Sequence, residues 1–197
     1  MSFPSSTGLA GTAAAGARAA PQRRLFLRFT IGADGYVLDT HEILQVLPLR
    51  RYKQIPGMPA WVAGLGMYHG STLPVIDMTA LATGRAAARL TSTRVVVVDS
   101  PAAPAGRPGD RAPQGRPAPG PTTSGRAALG LILEQATETA HYDPAAFLPS
   151  GLDHRDAPYL GPVLESEGVL LQWLRVDELV PDAVRERLFG AAGEIEA

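Results

Sequence analysis

His69, Ser71 and Asp77 stand in one short stretch, "GLGMYHGSTLPVIDM", and are the residue types of a hydrolytic triad. Their spacing argues against one. On an extended chain His69 and Ser71 share a face, but Asp77 lies about 20 Å beyond Ser71 if the strand runs straight. Ser71 also lacks the G-x-S-x-G setting that strains a nucleophilic serine into an exposed turn. The four histidines, His41, His69, His141 and His154, are never paired at metal-ligand spacing. Gly64, Gly66 and Gly70 do not have dinucleotide-loop spacing, and Lys53 is not preceded by the glycines of a phosphate loop. Glu165 and Glu167 sit together in "ESEG", which reads as a polar turn. The expectation is a chain with no catalytic residues, no metal and no cofactor.

Composition narrows the alternatives. The chain has 197 residues, is 45% hydrophobic and carries a formal net charge of -1, which suits a soluble globular chain with one good core or two small ones joined by shared strands. Lys53 is its single lysine, so no lysine-rich patch offers itself to nucleic acid or an anionic membrane. The absence of cysteine excludes disulfides, thiolate nucleophiles and cysteine-bound metal clusters. No apolar run approaches the ~18 residues of a membrane span. Residues 1–23 are alanine-rich without the regions of an export signal and read as a disordered lead; a cytoplasmic location is expected.

The stretch around His69 must be positioned by short apolar segments. "LFLRFTI" and "YVLDT" flank the turn "GADG" as a hairpin. "HEILQVLPLRRYKQI" begins as a strand, and Pro48 confines it to an edge or ends it. "LGMYHG" and "STLPVIDM" form a second hairpin pivoting at Gly70, with Gly64 and Pro74 as further turn and strand-exit positions. Asp77 then caps the short helix "TALATG", which Gly84 closes. "STRVVVVDS" and "AALGLILEQ" make a third hairpin across a Pro/Gly/Arg-rich block, residues 101–126, expected to be a disordered spacer. Substituting so long a loop for a tight turn costs only about 1.5–2 kcal/mol of closure entropy. "YLGPVLES" and "VLLQWLR" are further strands, "PDAVRERLFG" is a terminal helix, and Trp61 and Trp173 are packing residues. The fold class is all-β with short helices, built from small barrels. One domain spans residues 24–190, and 191–197 is a flexible tail.

Taken in order, these motifs resemble a known family. The run from "LFLRFTIGADGYVLDT" through "IPGMPAWVAGLGMYHGSTLPVIDM", followed by "STRVVVVDS" and "ALGLILEQATET", is similar to the CheW-like chemotaxis coupling proteins. "APYLGPV" and "VDELVP" resemble a narrower group, the WspB-type adaptors of wrinkly-spreader (Wsp) surface-sensing systems. The resemblance implies two interlocked five-stranded small barrels, of SH3 or OB type. It also implies an adaptor joining the cytoplasmic signalling tip of a methyl-accepting chemoreceptor to the regulatory domain of a CheA-like histidine kinase. The output would be cyclic-di-GMP, and the adaptor would be recruited to membrane-associated receptor arrays without inserting into the membrane. A variant of that reading is a protein that binds one partner only, as a competitor or array terminator; an enzyme using His69 is a weaker third.

The same resemblance marks two departures. Where the family carries a glutamate in "V-x-E-V" and an arginine in "L-R-G", this chain has Gln45 and His69. A neutral contact between them would avoid leaving a single buried ion without its counter-charge. Strand alternation places Ile43, Gln45 and Leu47 on one face. Together with Tyr68, His69 and Ser71 they form the candidate partner-binding groove.

Overall fold

Nine strands and two short helices account for most of the residues described by the computed structural model, which are 23–101, 126–151 and 153–189. The lead up to residue 22, residues 102–125 of the insertion and the tail from 190 lie outside the described residues. Alternating or continuous apolar residues give β1 (Arg24–Ile31), β2 (Asp34–Asp39), β3 (Ile43–Pro48), β4 (Val62–Tyr68), β5 (Ser71–Asp77) and β6 (Arg94–Pro101). They also give β7 (Arg126–Tyr142), β8 (Leu160–Ser166) and β9 (Val169–Leu174). The helices are α1 (Met78–Thr83) and α2 (Asp182–Phe189). No helix among the described residues is long and apolar enough to cross a membrane.

β7 organises everything else. Its first half pairs antiparallel with β6, from Pro101↔Arg126 to Arg94↔Leu133, and parallel with β5 at Val75↔Gly130 to Asp77↔Ile132. Its second half pairs antiparallel with β1, from Thr30↔Glu134 to Arg24↔Tyr142. The changeover coincides with a bulge and with Gln135, whose φ of 51° turns the strand from one sheet into the other. The result is two five-stranded sheets that share one strand, β3-β6-β7-β5-β4 and β7-β1-β2-β9-β8. Each is drawn toward closure by an isolated bridge, Lys53↔Leu65 in the first and Leu148↔Val163 in the second. The barrel architecture expected from the sequence is therefore present, with β6 and β7 as the hairpin across the insertion.

The core divides in the same way. Val96 and Val98 of β6 pack with Leu129, Leu131 and Leu133 in the main cluster, while Val95 and Val97 face a smaller one with Leu73, Val75 and Ile132. A run of four valines, "VVVV", thus serves cores on both faces, as expected of a strand without a solvated side. A third cluster surrounds Phe26, whose ring meets Trp173 edge-on at 4.9 Å.

The seam at Lys53 requires glycine. Lys53 and Leu65 exchange backbone hydrogen bonds of 2.9 and 2.8 Å. That approach leaves no room beside Gly64, where a Cβ would stand 2.3 Å from the Lys53 carbonyl oxygen, or beside Gly66, where it would meet the Tyr52 ring at 2.9 Å. Gly64 is consequently not a turn residue, as its sequence setting suggested. It lies inside β4 at a bulge with φ of 133°, a conformation that L-residues rarely adopt. Strain and overlap together predict that Gly64→Ala loses about 2–5 kcal/mol. Gly70→Ala meets no atom within 4 Å and should lose about 1 kcal/mol through its φ of 82°. Urea denaturation of the two variants checks the order, and equal losses would remove the role assigned to the seam.

Candidate partner-binding groove

The β4–β5 hairpin has a two-residue loop, His69-Gly70, closed by the Tyr68↔Ser71 pair. Both loop residues have positive φ, 48° at His69 and 82° at Gly70, so the turn has the twist that matches its strands. Held this way, His69 projects from the hairpin tip with its ring edge-on to Tyr68 at 4.3 Å. Pro74 is buried in β5 opposite Leu65. Leu65 directs its backbone N–H and carbonyl to Lys53, so the missing Pro74 N–H breaks no ladder bond to β4. Asp77 closes the strand: its carboxylate accepts from Ala80 N and Ala87 N, both at 2.9 Å.

A groove of about 330 Å³ runs along the seam where the edge of β3 faces the edge of β4. Gln45 and Leu47 line one wall, and Gly66, Met67, Tyr68 and His69 the other; Arg50, Arg51 and Tyr52 close its end. Leu73 forms the floor and belongs to the smaller core cluster, against which Leu47 and Tyr68 also pack. Met67 is 68% exposed, a large apolar side chain standing at the rim. Between these two strands, among the described residues, the Lys53–Leu65 exchange is the backbone connection. Edges of this kind accept an extended partner segment through main-chain hydrogen bonds, and side-chain pockets then select it.

Four of the six groove residues expected from the sequence, Gln45, Leu47, Tyr68 and His69, come together here; Ile43 and Ser71 do not line the groove. The reason for Ile43 is a bulge at Leu44: Ile43 pairs with Val98 and Gln45 with Val97. One extra residue reverses the alternation. Ile43 turns toward the main core, and Leu44 and Val46 are left 46% and 45% exposed. Ser71 belongs to the strand pair behind the turn. Gln45 and His69 share the groove, but no hydrogen bond joins them among the described residues. Sequence reasoning missed Arg50, Arg51 and Met67; the signal available was "LRRYK" directly after the strand-ending Pro48.

A second set of charges stands where β6 and β7 leave the described fold. Arg126 donates to Asp99 Oδ2 at 2.8 Å and to Asp177 Oδ1 at 3.0 Å, tying the β6–β7 hairpin to the turn after β9. Nearby Asp39 is buried, and its carboxylate accepts from His41 N at 3.0 Å, from His41 Nδ1 at 2.8 Å and from Arg24 at 3.2 Å. Burial alone would raise the Asp39 carboxyl, but these donors outweigh it and hold the group below its ordinary value. Among the described residues, Glu42 has no such donors. One of its oxygens is buried without a hydrogen bond. Burial, and then repulsion from Asp177 and Asp39, pushes its pKa to about 7 against the opposing charge of Arg126.

A carboxyl raised in the folded state binds protons there that the unfolded chain has released. Its contribution to stability is therefore complete below the ordinary glutamate range and lost as pH rises through about 7. Glu42→Gln should flatten that part of the profile and raise Tm at pH 8 relative to the parent. Thermal melts between pH 5 and 8 decide this; parallel profiles for the two proteins would contradict it.

Comparison with known proteins follows the same lines. A family model described as CheW-like domain matches residues 25–184. Among solved structures, the scaffolding protein TtCheW from Thermoanaerobacter tengcongensis superposes with a TM-score of 0.62 at 16% identity. The match covers 81% of this chain and 89% of that one. At that identity the likeness establishes the fold. No curated protein matches the sequence. With the family model spanning nearly all of both sheets, the chain belongs to the CheW-like domain family.

Proposed function

We propose that this chain is a non-enzymatic coupling adaptor. It joins the cytoplasmic signalling tip of a methyl-accepting chemoreceptor to the regulatory domain of a CheA-like histidine kinase, working in the cytoplasm at receptor arrays. The observation that carries this reading is the seam groove: two facing strand edges, an apolar floor and the exposed Met67, in a chain of the CheW-like family. The likeness to a protein titled as scaffolding supports the same kind of role. The narrower assignment, a Wsp-type surface-sensing pathway with cyclic-di-GMP as output, is supported by the motifs "APYLGPV" and "VDELVP".

Gln45 and His69 favour a second reading, in which the chain binds one partner only. Two neutral-to-weakly-basic side chains occupy the groove where an acid and a base are expected, so a partner that selects by charge complementarity loses its contacts. Sedimentation of the full chain with both partner domains separates the readings. A ternary complex is expected for the adaptor, binary complexes with a single partner for the alternative, and no association with either overturns both. Met67→Asp should weaken binding at the groove at least about ten-fold. Tm should stay unchanged, because Met67 is largely exposed.

A further inference from the structure

On the other side of Arg50–Tyr52 lies a second groove of about 400 Å³, between the segment that follows β3 and the segment that follows α1. Arg50 and Arg51 enter it from one wall and Arg89 from the other. All three are exposed, and none forms an ion pair among the described residues. Arg24, Arg126, Arg155, Arg175 and Arg185 each stand against a carboxylate. Among the described residues, the carboxylate lining this groove is Asp77, whose two oxygens are committed to Ala80 N and Ala87 N.

The walls are fixed before any ligand arrives. Ala87 N is held by Asp77 and Ala88 N by Glu134 Oε1 at 2.9 Å, which sets the backbone that carries Arg89. The Lys53–Leu65 exchange sets the backbone that carries Tyr52. Arg50 and Arg89, far apart in sequence, converge near the Tyr52 ring. Burial raises the Tyr52 phenol, and the Arg50 backbone with the charges of both arginines opposes that rise. Between the arginines the surface is apolar, formed by Leu49, Ala63, Ala87 and Ile132.

We infer that this groove docks an acidic, leucine-bearing segment of a partner protein, with carboxylates on Arg50, Arg51 and Arg89 and apolar side chains on the floor between them. Arginine suits carboxylates because its planar fork pairs with both oxygens. A phosphate backbone would engage the cations and leave the apolar floor without an occupant, so a peptide fits the whole surface better than a nucleic acid strand does. The inference does not depend on the adaptor reading, because its assay contains neither receptor nor kinase.

The test is fluorescence polarisation of the full chain with a labelled dodecapeptide of alternating Glu and Leu, and with its Gln/Leu counterpart. Binding of the acidic peptide is expected, weakened at least ten-fold by Arg89→Glu and falling as salt rises from 50 to 500 mM, with the Gln peptide and Arg155→Glu as unresponsive controls. Arg89 is exposed, so an unchanged Tm confirms that the variant is folded. Three outcomes would overturn the inference. They are equal binding of both peptides, tighter binding of a twelve-nucleotide single strand, and acidic-peptide binding that appears only after deletion of residues 190–197, which would assign the groove to this chain's own Glu194 and Glu196.

Discussion

The approach of Lys53 to Leu65 is the contact on which both grooves depend. β3 and β4 are the two outer strands of one five-stranded sheet, and a sheet with two long unpaired edges invites uncontrolled association. A pair of backbone hydrogen bonds at Lys53 draws those edges together at one point. The chain can come that close because Gly64 and Gly66 present no side chain. What remains of the seam on one side is the Gln45–His69 groove, and Tyr52 with its neighbouring arginines separates it from the second groove. The glycines of "GLGMYHG" thus matter more for what they admit alongside them than for the turns they make.

The second constraint is continuity. β7 serves both sheets, so the small barrels cannot shift independently, and the Gln135 kink sets how they meet. Arg126 at its start also binds Asp99 and Asp177, so the insertion departs from a point already tied to the turn after β9. A long loop is cheap to close when its two stems are paired residue by residue, as Pro101 and Arg126 are.

Much of this was legible in the sequence, for physical reasons that differ element by element. Hairpins were readable because glycine turns and apolar runs are local signals: "GADG", "YHGS" and "ESEG" all lie between paired strands. The Asp77 cap and the Gly84 stop were local as well. Less accessible were the parallel pairings of β2 with β9 and β5 with β7, which join residues far apart in the chain. The bulge at Leu44 was invisible to a strict two-residue period, and it moved Ile43 out of the groove while keeping Gln45 and Leu47 in. Glu42 escaped notice because its environment is assembled from Asp39, Asp177 and Arg126, contributed by separate elements.

The central claim is that a partner enters the seam between β3 and β4. Hydrogen–deuterium exchange of the full chain, alone and with a receptor signalling tip or a kinase regulatory domain, addresses it most directly. The amides of β3 and β4 that point away from their paired strands, that of Met67 among them, face the groove along free strand edges and should exchange rapidly in the isolated protein. The account predicts that one partner slows them strongly while the paired amides of β6 and β7 are unaffected; protection confined to the β8–β9 hairpin, with these edge amides unchanged, would contradict it.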